Sequence, residues 1–121
     1  MTATQRLDMG PRMSQAVVHG DTVYLAGQVN KDAANVTAQT AAVLKQIDDL
    51  LARAGSSKEK ILSATIYLAD IKTFADMNAA WDAWVSTANP PARATLEAKL
   101  VTPDYLVEIA VIAAKYALAR S

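Results

Sequence analysis

The segment from Pro90 to Ala114 constrains the fold most, because it contains two strand patterns of different kinds. Residues alternate between apolar and polar from Ala92 to Leu100, which is typical of a strand with two unlike faces and puts Arg93 and Thr95 on the same one. From Leu106 to Ala114 nearly every residue is apolar, as in a strand buried on both faces. A short turn between them predicts an antiparallel hairpin.

One carboxylate, Glu108, interrupts the apolar run. A carboxylate placed there costs several kcal/mol unless it is solvated or hydrogen-bonded, so Glu108 is expected to face a wet pocket or a partner. The same hairpin presents Arg93, whose guanidinium can bind the carboxylate of a ligand through two parallel hydrogen bonds. The alternative is that Arg93 and Glu108 form a structural salt bridge or a subunit contact without any catalytic role.

Composition excludes several classes of function. The 121 residues are expected to form one domain, residues 1–121, and 12 basic and 12 acidic side chains cancel, so no basic surface for nucleic acid or an anionic membrane is expected. The absence of cysteine excludes disulfides, thiolate metal sites and a cysteine nucleophile. There is no apolar run long enough to span a bilayer and no hydrophobic secretory signal, so we expect a cytoplasmic protein.

The first third of the chain contains strand patterns at residues 4–9, 14–19 and 22–29. The last two flank His19-Gly20-Asp21, which is typical of a hairpin turn. His19 is the only histidine and is expected to be an exposed turn residue, since no second histidine or cysteine supports a metal site. Gly27 indicates a bulge, or a point where backbone approaches a ligand closely.

Helical spacing appears twice. Apolar residues recur three and four apart from Val36 to Ala54, with Asn35 or Thr37 as N-cap and Gly55 at the C-terminus, and Gln39 falls on the polar, solvated side. After a strand at Ile61–Leu68, Thr73 and Asp76 suggest a capping box. The second helix then carries Trp81 and Trp84 in an apolar stripe, for which packing on a sheet is the simplest role and ligand stacking the alternative.

This order of elements predicts an α+β fold with one mixed or antiparallel β-sheet and both helices on one face. The opposite face would present Arg93, Thr95 and Tyr67 among apolar residues. An exposed sheet face of that composition favours self-association, which the apolar content of 52% also favours.

Several motifs, in order and at matching spacings, resemble the RidA/YjgF family of reactive intermediate deaminases. Pro91-Ala92-Arg93-Ala94-Thr95 and Val107-Glu108-Ile109 are similar to its C-terminal signature, whose arginine and glutamate lie fifteen residues apart as Arg93 and Glu108 do. Leu25–Val29 and Phe74–Asn78 resemble its earlier motifs, and the second helix looks like that of the short YoaB-like branch.

The resemblance implies a chorismate-mutase-like fold and a homotrimer with a central β-barrel and ligand clefts between subunits. It also implies hydrolysis of reactive 2-imino or enamine acids to 2-keto acids and ammonia, with no metal and no organic cofactor. The expected partners are a small carboxylate-bearing metabolite and two further copies of the chain, without nucleic acid or membrane.

The same resemblance assigns candidate roles. Arg93 would anchor the substrate carboxylate, and Glu108 would position and polarise the attacking water. Thr95 would hydrogen-bond the substrate, with the backbone near Gly27 and the side chain of Asn78 as further substrate-binding groups.

The chain departs from the family pattern at Met13, where many members have a tyrosine that helps to seat the substrate. This departure favours an alternative function, a non-catalytic binder or sensor of small carboxylates or 2-keto acids. The family's older label of endoribonuclease is disfavoured by the zero net charge and the single histidine.

Overall fold

One six-stranded sheet, covered on one face by two helices, forms the protein in a computed structural model that describes residues 3–115. In chain order the elements are β1 (Thr4–Leu7), β2 (Ala16–His19), β3 (Thr22–Leu25), α1 (Val36–Arg53), β4 (Ile61–Leu68), α2 (Phe74–Trp84), β5 (Ala92–Glu97) and β6 (Val107–Ala114), with short 3₁₀ turns at Lys58–Lys60 and Ile71–Thr73. The predicted mixed sheet with both helices on one side is therefore confirmed.

Helix α1 forms where its periodicity and caps predict it. The side chain of Asn35 accepts a hydrogen bond from the backbone N–H of Ala38 at 2.8 Å, which satisfies one of the free donors of the first turn. At the other end Gly55 has φ +84°, the left-handed conformation that glycine adopts without strain. The apolar stripe between these caps is buried against the sheet, with Val43, Leu44, Ile47 and Leu51 at its centre.

The second helix starts differently from its prediction. Thr73 is the N-cap residue, but its side chain makes no capping bond and donates instead to the carbonyl of Asp70 at 2.6 Å. The predicted capping box with Asp76 is therefore wrong, because the preceding 3₁₀ turn already uses the threonine hydroxyl.

The strand order is β1-β2-β3-β6-β4-β5. Strands β2 and β3 pair as the predicted hairpin, with Val18 opposite Val23. The predicted hairpin between β5 and β6 is wrong, since β5 pairs in parallel with β4 and β6 lies between β3 and β4. The almost wholly apolar β6 thus takes a central place with neighbours on both sides, while the alternating β5 forms an edge.

The core lies between the sheet and the helices. Ala64, Ile66 and Leu68 of β4 face the helices and are almost fully buried, together with Ile109 and Val111 of β6. Within residues 3–115, no helix has both the length and the apolar character needed to cross a membrane.

The prediction that Gln39 lies on the solvated side of α1 is wrong. Gln39 is 2% exposed. Its amide nitrogen donates to the carbonyls of Ala33 (3.1 Å) and Asp104 (3.0 Å), and its oxygen accepts from the backbone N–H of Leu106 at 2.9 Å. The side chain therefore fixes the segment that leads into β6.

Candidate functional site

Glu108 lies on the sheet face that the helices do not cover. It pairs across the ladder with Tyr67 of β4, and its side chain is half-buried. No residue among 3–115 forms a hydrogen bond or an ion pair with its carboxylate. The carboxylate is therefore available to a ligand or a water molecule.

Gly27 makes room for this carboxylate. A Cβ built on Gly27 would lie 2.8 Å from Cδ of Glu108 and closer still to Oε2. The backbone of the next residue, Gln28, exchanges hydrogen bonds of 2.8 and 3.1 Å with Ile109, the neighbour of Glu108. Gly27 and Glu108, two of the predicted site residues, are therefore in contact, although 81 positions of sequence numbering separate them.

Behind Gly27, a chain of carboxamides holds this segment in place. Gln28 is buried, and its amide nitrogen donates to Gln15 at 2.9 Å while its oxygen accepts from Gln46 at 3.2 Å. Asn30 in turn donates to Gln46 at 2.8 Å. These side chains line a groove of about 490 Å³ on the helix side of the sheet. The sequence pattern does not predict this network, and its single indication is a glutamine inside an otherwise apolar strand pattern.

Arg93 projects from β5 onto α2. Its Nη1 donates to Oδ1 of Asn78 at 2.8 Å, and its Cζ lies 5.2 Å from the ring centroid of Trp81 and 5.7 Å from that of Phe74. Within residues 3–115 no carboxylate pairs with this guanidinium. Arg93 is thus an ordered cation that is available to an anionic ligand.

Thr95 lies two residues further along the same face of β5. Its Oγ1 is buried, and no hydrogen-bond partner for it exists among the described residues. Since buried hydroxyls are normally paired, an unpaired one beside Arg93 is consistent with a group that bonds to a ligand or to water.

Arg93 and Thr95 lie on the helix-covered face of the sheet, which corrects the prediction that they share the open face with Tyr67. Arg93 pairs with Ala64 and Thr95 with Ile66, and both of these β4 residues face the helices. Alternation showed which residues share a face but not which face it is.

Arg93 and Glu108 are consequently not brought together within one chain. They lie on opposite faces, two strands apart, and the strand spacings put their Cα atoms roughly 14 Å from each other. The alternative of a structural salt bridge between them inside the chain is thereby excluded.

The open face is apolar around Glu108. It exposes Tyr24, Leu96 and Ile112, at 46%, 41% and 37% of their surfaces. An exposed sheet face that carries several large apolar side chains is typical of a protein contact surface.

The described residues contain no group of three histidine, aspartate or glutamate side chains placed to hold a metal ion. Away from the site, Arg53 donates two hydrogen bonds to the carboxylate of Asp8 at 2.8 and 2.9 Å. These bonds, reinforced by the guanidinium charge, lower the pKa of Asp8 below its ordinary value.

Comparison with known proteins agrees with this fold and residue pattern. The chain belongs to the RidA/YjgF family, whose sequence model is described as endoribonuclease L-PSP and matches residues 3–115. A RutC family protein of Haemophilus influenzae is 48% identical over 111 residues, covering 90% of this chain and 96% of that protein. The RutC family protein YoaB of Escherichia coli is 47% identical over 109 residues, with the same coverage of both chains.

Solved structures agree as well. The crystal structure of NMB1025, a YjgF family member from Neisseria meningitidis, superimposes with a TM-score of 0.94 at 41% identity, covering 96% of this chain and 98% of that one. The chorismate-mutase-like fold that the sequence motifs predict is therefore confirmed.

Proposed function

We propose that this protein hydrolyses reactive 2-imino or enamine acids to 2-keto acids and ammonia, in a cleft formed between subunits of a homotrimer. The observation that supports it most is that two charged side chains have no ion-pair partner among residues 3–115: the ordered guanidinium of Arg93 on β5 and the carboxylate of Glu108 on β6. A ligand that carries both a carboxylate and an electrophilic imine carbon requires such a pair.

In this mechanism Arg93 binds the substrate carboxylate, a contact worth about 1.5–3 kcal/mol. Glu108 accepts a proton from a water molecule. At the same time the water oxygen forms a bond to the imine carbon, and the electron pair of the C=N double bond moves onto nitrogen. The proton then passes from Glu108 to nitrogen, which gives a carbinolamine. Glu108 next takes the proton of the carbinolamine hydroxyl and delivers it to nitrogen, so that the C–N bond breaks, ammonia leaves and the 2-keto group forms. Thr95 and the backbone at Gly27 are proposed to surround the substrate, and Asn78 lies beside them as the hydrogen-bond partner of Arg93.

The cleft has to be shared between copies, because one chain presents Arg93 and Glu108 on opposite faces of its sheet. An apolar open face supplies the surface that a second copy can cover. Closing three such sheets around an axis gives the central barrel expected for the family, with one site at each of the three identical contacts.

A semicarbazide competition assay tests the reaction. An amino-acid oxidase generates imines in the presence of semicarbazide, and the wild-type protein should suppress semicarbazone formation. Arg93→Ala and Glu108→Gln should abolish that suppression, whereas Arg12→Ala, a change at an exposed arginine, should leave it intact. Absence of suppression by the wild type over a panel of amino acids would rule out this deaminase activity.

Complementation tests the shared cleft. Arg93→Ala retains Glu108, and Glu108→Gln retains Arg93, so mixed oligomers should contain some contacts with both groups. With random mixing in a closed ring, about a quarter of the sites should be active. Mixed oligomers that form, as seen by native mass spectrometry, but recover no activity would contradict a site built from two subunits.

A second function, binding of 2-keto acids without catalysis, is favoured by Met13. This residue stands where many family members have a tyrosine, and it cannot supply a hydroxyl to the substrate. Saturable binding of a 2-keto acid that depends on Arg93, with no effect in the semicarbazide assay, would identify the protein as a binder.

A further inference from the structure

The guanidinium of Arg93 lies along one stripe of α2. Phe74, Asn78 and Trp81 are spaced by four and three residues, which places them on the same side of the helix, and all three contact the guanidinium. An exposed arginine on an edge strand normally samples many rotamers. Here one hydrogen bond and two aromatic rings restrict it.

The chemistry of the hydrogen bond fixes its direction. Arginine has five N–H donors and no acceptor, so the amide oxygen of Asn78 has to face it. The bond uses Nη1. This leaves the pair formed by Nε–H and Nη2–H, which is one of the two forks through which a guanidinium binds a carboxylate bidentately.

The aromatic side of the contact is anchored in the core. Trp81 is 5% exposed and packs against Trp84, with ring centroids 5.4 Å apart. The indole nitrogen of Trp84 donates to Asp48 of α1 at 2.9 Å. The ring beneath Arg93 is therefore held by both helices, and the guanidinium rests on a fixed surface.

The charge of the acceptor also matters. Asn78 is neutral, whereas an aspartate at this position would pair with the guanidinium and compete with a ligand carboxylate. An uncharged amide orders Arg93 and leaves its positive charge without an anionic partner among the described residues.

We propose that Asn78 and Trp81 are positioning residues, which hold Arg93 so that its Nε–Nη2 fork faces the ligand carboxylate. The ligand part of this inference rests on the proposed function. This proposal replaces the sequence-based expectation that Asn78 binds the substrate directly. Asn78 instead acts through Arg93, and its effect on ligand affinity disappears when residue 93 lacks the fork.

The first test needs no ligand. The Nη1 and Nη2 resonances of Arg93, assigned by comparison with Arg93→Lys, should be resolved in the wild type, because the hydrogen bond from Nη1 to Asn78 slows rotation about the Nε–Cζ bond. In Asn78→Ala this rotation should accelerate about tenfold, as expected for the loss of one hydrogen bond to a charged group. Asp82→Ala, a change at an exposed position of α2, is the matched control and should have no effect. Equal rotation rates in the wild type and Asn78→Ala would overturn the proposal.

The second test measures affinity for 2-oxobutanoate by calorimetry. Asn78→Ala should raise Kd about tenfold when Arg93 is present. In the Arg93→Lys background, which keeps the charge but lacks the fork, the same change should alter Kd less than about twofold. Equal losses in the two backgrounds would show that Asn78 contacts the ligand itself, and would overturn the proposal.

The variant Asn78→Asp separates the ordering of Arg93 from the charge of the group that orders it. This variant should keep rotation of the Arg93 guanidinium slow, because the acceptor remains, but bind 2-oxobutanoate more weakly than Asn78→Ala does. Tighter binding in Asn78→Asp than in Asn78→Ala would contradict the role assigned to the neutral amide.

The two proposals fail in different ways. A wild-type protein that neither binds 2-oxobutanoate nor hydrolyses imines would remove the proposed function. Slow rotation of the Arg93 guanidinium that depends on Asn78 would still support the positioning role, and its absence would refute that role.

Discussion

The side chain of Glu108 occupies the space that a side chain on Gly27 would need. Its Oε2 and Cδ lie less than 3.0 Å from the point where a Cβ on Gly27 would be, which is closer than real Cβ contacts come, and its Cγ lies at 3.0 Å. The φ of Gly27 is not in the left-handed region, so the requirement for glycine here comes from the neighbouring carboxylate rather than from the backbone.

Gly27→Ala should therefore displace the carboxylate while leaving the fold intact, because the clashing atoms belong to the mobile end of a glutamate. We expect at least a tenfold loss of imine hydrolysis with a melting temperature within a few degrees of wild type. Gly10→Ala is the matched control, since its nearest neighbour, the carbonyl of Met13, is at an ordinary 3.7 Å. Full activity in Gly27→Ala would show that this position of Glu108 is not needed.

Thr95→Val should stabilise the free protein by about 1–2 kcal/mol, because it replaces a buried hydroxyl that has no partner among residues 3–115 with a methyl group of the same shape. Affinity for 2-oxobutanoate should fall in the same variant. Thr40→Val provides the contrast, since the Thr40 hydroxyl donates to the carbonyl of Val36 at 2.7 Å, and its loss should destabilise. Urea unfolding measures both, and a destabilised Thr95→Val would mean that the hydroxyl has a partner.

Gln39→Leu should destabilise the protein by about 2–3 kcal/mol, because the backbone N–H of Leu106 and two carbonyls lose their partner together. A lower urea midpoint with an unchanged m-value is the expected signature. Gln5→Leu, at an exposed position of β1, should change the midpoint little. Equal midpoints for the two variants would contradict the role of Gln39 in holding the segment before β6.

The ion pair of Asp8 and Arg53 should make a small contribution to stability that depends on pH. Hydrogen bonds from Arg53 lower the pKa of Asp8 in the folded protein, below about 3.9 for an unfolded chain. A carboxyl group whose pKa is lowered by folding stabilises the folded protein at pH values above its pKa in the unfolded chain. This contribution is lost as the pH falls through its pKa in the folded protein.

Asp8→Asn should therefore melt below the wild type at pH 7, with the difference shrinking at pH 3. Asparagine is a suitable replacement, because Asp8 has φ +51° and asparagine tolerates that conformation. The control is Asp21→Asn, since the Asp21 side chain has no ion-pair partner among the described residues. A difference that persisted unchanged at pH 3 would not come from the charge of Asp8.

Local patterns predicted the elements well. Helix α1 and strand β4 lie where their spacing and caps indicated, because both carry strong periodic signals with clear ends. The pairing of the strands was harder to predict, since β5 and β6 are neighbours in sequence but each pairs with β4. No local signal distinguishes a hairpin from a parallel strand reached through a helix.

The site was predictable in its residue types but not in its geometry. Family motifs identified Arg93 and Glu108, yet only the sheet order shows that they lie on opposite faces. Gln39 was misplaced because its partners Asp104 and Leu106 are 65 and 67 residues away, beyond the reach of helical spacing. The same holds for the contact between Gly27 and Glu108.

The central place of β6 has a consequence for synthesis on the ribosome. Strands β3 and β4 emerge long before residues 107–114, and the two edges that β6 will join stay open until then. Open strand edges are templates for unwanted pairing. The nascent chain is therefore prone to aggregation until β6 inserts. If synthesis stopped in the loop before β6, the chain would lack Glu108, and β3 and β4 would have no strand between them.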